Sequence, residues 1–206
     1  MNITGIILAG GYSRRMGADK ALLELGGVPL ISHLTARLSI VANSVCIACG
    51  AEEREAYRFL RLPLIPDRYP GQGPLAGLHA ALCSSNTEWN VAAACDLPFA
   101  SREIMQYMTG IAAAASHIDA VVPVNAAGKV QPLLAVYHSR LLPSLEDALE
   151  RKRPRVMEWL DARKVQYIHE HEFPGSPQAR AAALLNMNTP EDYQAAVKLA
   201  SSFPNG

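Results

Sequence analysis

The chain has 206 residues, half of them apolar, and its 19 Lys plus Arg balance 19 Asp plus Glu, so its formal net charge is zero. That length suits one domain, 1–206, with a substantial core, and the ordinary charged fraction carries no sign of disorder. Zero net charge removes any global electrostatic case for nucleic acid or an anionic membrane. With no apolar run long enough to cross a bilayer and no charged leader, the expectation is a cytoplasmic protein.

Ile3, Ile6, Ile7 and Leu8 form an almost unbroken apolar run, the pattern of a central parallel strand buried on both faces. The run stops at Gly10-Gly11, and Arg14, Arg15 and Lys20 follow. Adjacent glycines let the backbone approach a ligand closely, successive N–H groups make an anion-binding concavity, and three nearby cations suit a triphosphate. The competing reading is a plain strand-to-helix turn with solvated cations. Neither the Walker pattern nor G-x-G-x-x-G is present.

Residues 21–25 read as a short extended piece, and a helix opens at Pro29 with Leu30, Leu34, Leu38 and Val41 on its buried face. A strand follows over 45–49, a helix over 52–60 and a brief strand ending at Asp67. Cys46 and Cys49 make a C-x-x-C, but on a strand residues three apart point to opposite faces, which predicts buried thiols rather than a metal site. Pro74 after Gly73 marks the start of a helix carrying Leu75, Leu78 and Leu82 on one face, and a glycine-rich loop before a helix N-terminus is a second docking point for a nucleotide.

The small-residue strand of residues 91–95 ends in Asp96, with Pro98 as its stop. Ligands of parallel sheets lie outside the carboxyl ends of the strands, so Asp96 should share an edge with Gly10-Gly11. A carboxylate beside polyphosphate is a natural Mg²⁺ ligand. The alternative makes Asp96 a cap, but Ser101 is better placed to cap the next helix. That helix spans 101–116, a strand spans 119–124, and Gln131 to Tyr137 read as an antiparallel return strand. A helix over 139–150 leads to the run Arg151-Lys152-Arg153-Pro154-Arg155, either a solvated loop or a clamp for a second substrate's phosphate. A short helix over 156–160 and an edge strand over 165–169 follow. His169 and His171, with no third ligand in view, read as surface histidines. Thr189, Pro190 and Asp192 start the last helix with a capping box.

Leu8-Ala9-Gly10-Gly11-x-Ser13-Arg14-Arg15-Met16-Gly17-x-Asp19-Lys20 resembles the signature loop of nucleotidyltransferases related to the sugar-nucleotide pyrophosphorylases. Together with Gly73 to Gly77, Cys95-Asp96-Leu97-Pro98 and Asn186-x-Asn188-Thr189-Pro190-Glu191, it is most similar to the molybdenum cofactor guanylyltransferase family. Leu-Ala-Gly-Gly matches the guanylyl branch, whereas CTP and UTP enzymes more often read Leu-Ala-Ala-Gly.

The resemblance implies a three-layer α/β/α sandwich, Rossmann-like, with a mostly parallel sheet and one antiparallel strand. It implies transfer of GMP from GTP to molybdopterin, with Mg²⁺ on Asp96 and with Arg15, Lys20 and Asp96 as the catalytic set. Leu8, Ala9, Gly10, Gly11, Lys20, Cys49, Asp67, Gly73, Pro74, Leu75, Gly77 and Asp96 would meet the nucleotide. Gln131, Arg153, Arg155, Asn186 and Asn188 would meet the second substrate. Cys49 departs from the family pattern, standing where related enzymes often have an asparagine on the nucleotide. Molybdenum-insertion proteins and molybdoenzyme chaperones are the implied protein partners. Two alternatives stay open: a cytidylyl- or uridylyltransferase acting on molybdopterin or on a sugar or alcohol phosphate, and a non-catalytic nucleotide-binding module.

Overall fold

The first strand, β1 (Ile3–Leu8), runs through the middle of the molecule and sets the frame for the rest. The structure is a computed structural model and describes residues 1–10, 19–152 and 155–201. The elements that follow β1 are β2 (Glu24–Leu25), β3 (Val28–Pro29), α1 (Leu30–Val41), β4 (Ser44–Gly50), β5 (Leu64–Pro66), α2 (Pro74–Ser84) and β6 (Trp89–Ala94). Next come α3 (Arg102–Ala114), β7 (Ala120–Val124), β8 (Leu134–His138), α4 (Leu142–Glu150), α5 (Val156–Asp161), β9 (Val165–His169), α6 (Pro177–Ala183) and α7 (Pro190–Ala200).

Seven strands form one sheet in the order β5-β4-β1-β6-β8-β7-β9. β1 pairs in parallel with both β4 and β6, and among the described strands of this sheet only β8 runs antiparallel to its two neighbours. Because alternate side chains leave a strand on opposite faces, the sheet feeds two cores. Ile7, Ile47, Val91 and Val121 pack with Ile31, Leu34 and Leu38 of α1 and Ile104, Met105 and Met108 of α3. Ile6, Ala48, Ala92 and Val122 pack with Leu75, Leu78 and Leu82 of α2, Leu145 and Leu149 of α4 and Trp159 of α5. This is the expected three-layer α/β/α arrangement, with the expected single antiparallel strand. Among the described residues no helix is long and apolar enough to cross a membrane.

Capping chemistry fixes two helix starts as expected. Ser101 Oγ accepts from the Ile104 amide at 3.3 Å. Thr189 Oγ1 accepts from the Asp192 amide at 3.2 Å while Asp192 accepts from the Thr189 amide at 2.9 Å, a capping box.

Elsewhere local chemistry overrode the expected element. Glu55–Leu60 is 3-10 rather than α, and it ends on Arg61 in the left-handed conformation. Lys20–Leu22 is likewise a 3-10 turn rather than extended, and β2 and β3 close a small hairpin after it. α6, not anticipated, follows a Ser176 cap whose Oγ accepts from the Ala179 amide at 3.2 Å.

The ends of β1 and β4 come unusually close. A Cβ built on Gly10 would sit 2.6 Å from the Gly50 amide nitrogen and 2.7 Å from its Cα. The β4–β5 pairing also shifts register between Ala48 and Gly50, the kind of irregularity that re-aims a strand end. We expect Gly10→Ala to cost about 1–3 kcal/mol of stability through overpacking against backbone, read as a lower urea midpoint with unchanged slope. A Gly10→Ala protein as stable as the parent would show that the strand ends part freely.

Candidate active site at the sheet edge

The carboxyl ends of β1, β4 and β6 open on a cavity of ≈ 330 Å³. Most of its wall comes from four stretches of the chain: Leu8, Ala9 and Gly10 at the end of β1; Asp19, Lys20 and Ala21; Gly73, Pro74 and Gly77 at the start of α2; and Ala94, Cys95 and Asp96 at the end of β6. Ala48 and Leu133 complete it. Small residues at Gly10, Ala48, Gly77 and Ala94 leave backbone rather than side chain facing the space. The N-terminus of α2 adds the positive end of its dipole to the rim.

Lys20 is held by the far end of the chain. Its Nζ donates to the Met187 carbonyl at 2.7 Å and to Asn188 Oδ1 at 3.2 Å. The Met187 amide in turn donates to the Asp96 carbonyl at 2.7 Å. The segment just before α7 therefore lies across the cavity edge, tied to both residues that the sequence marks as chemical.

Asp96 is half-buried, and its Oδ1 is buried with no hydrogen-bond partner. Burial raises its pKa, outweighing the nearby charges of Lys20 and Lys129. A desolvated carboxylate oxygen without a donor has its lone pairs available for a cation. The loop behind it is fixed: the Leu97 amide donates to Ala94 O at 3.1 Å, and Arg37 Nη1 donates to Pro98 O at 2.7 Å. Among the described residues no group of three or more His, Cys, Asp or Glu side chains is arranged to hold a metal ion. A cation on Asp96 would complete its coordination largely with oxygens from phosphate and water, as Mg²⁺ does.

Next to this cavity, Gln131 is buried and donates from Nε2 to Leu184 O at 3.2 Å, while its Oε1 accepts from Asn186 Nδ2 at 2.9 Å. Asn186 and Asn188 thus face different partners, one Gln131 and the other Lys20.

Asp67, half-buried beneath the start of α2, has an unpartnered Oδ1 that lies 3.5 Å from where a Gly77 Cβ would be, and burial raises its pKa. Its amide donates to Gly50 O at 2.7 Å, which holds it beside the end of β4.

Other expected site residues are elsewhere. The Cys49 side chain is fully buried on the α1/α3 face, because strand alternation turns Ala48, not Cys49, toward the cavity. Cys46 is buried on the opposite face, as the alternation predicts. Leu75 turns its side chain into the core among Ile6, Ala48 and Leu78, which leaves its backbone, in the first turn of α2, as the part nearest the cavity rim. Arg155 is exposed, pairs with Glu158 at 2.6 Å and is absent from the cavity wall. Gly11, Arg15 and Arg153 lie outside the described residues. Residue patterns alone did not single out Asp19 or Leu133 as cavity wall. Asp19 could have been found from its place beside Lys20, whereas Leu133 carries no signal beyond its apolar run.

A family model described as a MobA-like NTP transferase domain matches residues 5–169. A protein of Carboxydothermus hydrogenoformans named probable molybdenum cofactor guanylyltransferase is 38% identical over 97% of this chain and 98% of its own length. One of the same name from Pelotomaculum thermopropionicum is 35% identical over 100% of this chain and 97% of its own. The crystal structure of molybdopterin-guanine dinucleotide biosynthesis protein A from Archaeoglobus fulgidus superposes with a TM-score of 0.81 at 26% identity, covering 97% of this chain and 99% of that one. On the family model and these relatives, the chain belongs to the family of MobA-like NTP transferases.

Proposed function

We propose that this protein transfers GMP from GTP to the terminal phosphate of molybdopterin, giving molybdopterin guanine dinucleotide and pyrophosphate. The observation that carries this reading is the meeting of Lys20 and Asp96 at one cavity whose rim is the N-terminus of α2. The names carried by its relatives supply the base and the acceptor.

The chemistry asks little of the protein beyond position and charge. The attacking phosphate oxygen is already anionic at neutral pH, so no general base is required. A bond forms from that oxygen to the α-phosphorus, and the bond from the α-phosphorus to its bridging oxygen breaks, pyrophosphate leaving with the electron pair. Lys20, on taking the triphosphate, would exchange the Met187 carbonyl for phosphate oxygens and offset their charge. Asp96 fits a Mg²⁺ ligand, since its Oδ1 is buried and unpartnered and its carboxylate faces the cavity. Magnesium bound there would neutralise charge on the departing pyrophosphate. Gln131 and Asn186 support each other beside the cavity, and with Asn188 they are the proposed contacts of the second substrate. Arg15 and Arg153 are kept as proposed anion contacts on the resemblance alone. A cytoplasmic setting goes with this reading, as all four cysteines are free thiols.

Pyrophosphate release with each of the four nucleoside triphosphates, with and without molybdopterin, tests the function. GTP with molybdopterin should be the productive pair, and Lys20→Ala should lower the rate by roughly 2–4 kcal/mol of transition-state stabilisation. Preference for CTP or UTP would move the protein to a sister activity, and no release with any pair would leave only a binding role.

Asp96→Asn separates a cation ligand from a local cap. A carboxyl whose folded pKa lies above its unfolded value stabilises the fold only while protonated, and that contribution is lost as pH rises through the folded value. We therefore expect nucleotide-free Asp96→Asn to melt no lower than the parent at neutral pH. Magnesium-dependent transfer should fall about a thousandfold, roughly 4 kcal/mol. A lowered melting point with activity retained would make Asp96 a cap.

A further inference from the structure

Asp19 is a carboxylate in the wall of a cavity read as a triphosphate site, where its charge would oppose the ligand. Its surroundings resolve the conflict. Oδ1 accepts from the Ala21 amide at 3.1 Å and so caps the 3-10 turn that begins at Lys20. Oδ2 accepts from Arg54 Nη1 at 2.6 Å and from the Tyr57 hydroxyl at 2.6 Å. Arg54 and Asp19 are each about four-fifths buried as side chains, 20% and 19% exposed, so water screens their pairing only in part.

Tyr57 is fully buried among the residues of the α1/α3 core, and the Arg54 guanidinium carbon lies 5.7 Å from its ring centroid. Its hydroxyl donates to both Asp19 Oδ2 at 2.6 Å and the Ala9 carbonyl at 3.3 Å, one proton shared between two acceptors. Ala9 comes just before the glycine pair of the signature segment and Asp19 just after Ala18. A single buried hydroxyl therefore touches both ends of that segment from a residue outside it.

We propose that Tyr57 and Arg54 are positioning residues for nucleotide binding, Tyr57 pinning the two ends of the signature segment together and Arg54 neutralising Asp19 so that Lys20 acts on the triphosphate unopposed. The assignment rests on the nucleotide reading above. Asp19 keeps its backbone-capping role in this arrangement, and its charge is met by Arg54 rather than by the ligand.

Calorimetric titration of magnesium-GTP into the full chain and three variants tests it, with melting curves run on the same preparations. Tyr57→Phe removes only the hydroxyl and should weaken binding about fivefold. Arg54→Met should weaken it about tenfold by freeing the Asp19 charge, and adding Asp19→Asn to Arg54→Met should bring affinity back to within about threefold of the parent. A merely structural role for Arg54 predicts that the double variant binds no better than Arg54→Met. Parent-like affinity in both single variants, or failure of Asp19→Asn to rescue, overturns the assignment while leaving the function intact. A parent chain that binds none of the nucleoside triphosphates overturns both.

Discussion

A 2.7 Å hydrogen bond from the Met187 amide to the Asp96 carbonyl joins the tail of the chain to the end of β6, and the geometry of the site depends on it. That bond, with the one from Asn186 to Gln131, sets the height of the Asn186–Asn188 segment above the sheet edge. With it, the Met187 carbonyl and Asn188 Oδ1 come within reach of Lys20, from the opposite end of the sequence. The core supports the same closure. Met187 is buried with Leu25, Leu30 and Ala196, so the hairpin, α1 and α7 grip the segment by its apolar side while its polar groups face the cavity. An apolar anchor beneath a polar edge holds a loop more firmly than hydrogen bonds alone, because moving it exposes surface worth about 25 cal/mol per Å².

Charge is organised locally in a chain with none overall. Asp19 and Arg54 cancel each other at one wall. Asp96 carries a desolvated oxygen at another, with Lys20 and Lys129 close enough to moderate its pKa. The small side chains between them let backbone N–H groups and the α2 dipole contribute without bulk. Such an arrangement suits phosphoryl chemistry, in which the protein mainly aligns anions and offsets their charge.

Much of this was legible in the amino acids. The almost unbroken apolar run of β1, the leucine spacing of α1 and α2 and the Ser101 and Thr189 caps each carry a local physical signature, and each element formed. Lys20 and Asp96 were legible for the same reason: an abrupt charge after a glycine pair and an acid at the end of a small-residue strand. What sequence left hidden was long-range. Nothing local to Asp19 announces Tyr57, and nothing near Lys20 announces Met187, since a hydrogen bond between distant residues leaves no periodicity. Short elements were also hard to read. α6 has seven residues and an alanine-rich face, and Glu55–Leu60 offered only two apolar anchors, three apart, too few to tell a 3-10 from an α-helix. At Cys49 strand alternation sends the side chain into the core, a placement that a family position alone does not reveal.

The central claim is that a divalent cation on Asp96 and a triphosphate on Lys20 share one cavity at the sheet edge. Phosphorus NMR of GTP with Mn²⁺ in place of Mg²⁺ reads that proximity directly, since the ion broadens the resonances of phosphates it touches. With the protein present, the account predicts a bound complex whose phosphate broadening changes between the parent and Asp96→Asn at equal GTP occupancy. Identical broadening in the two proteins would mean that the ion binds without Asp96 and would contradict the account.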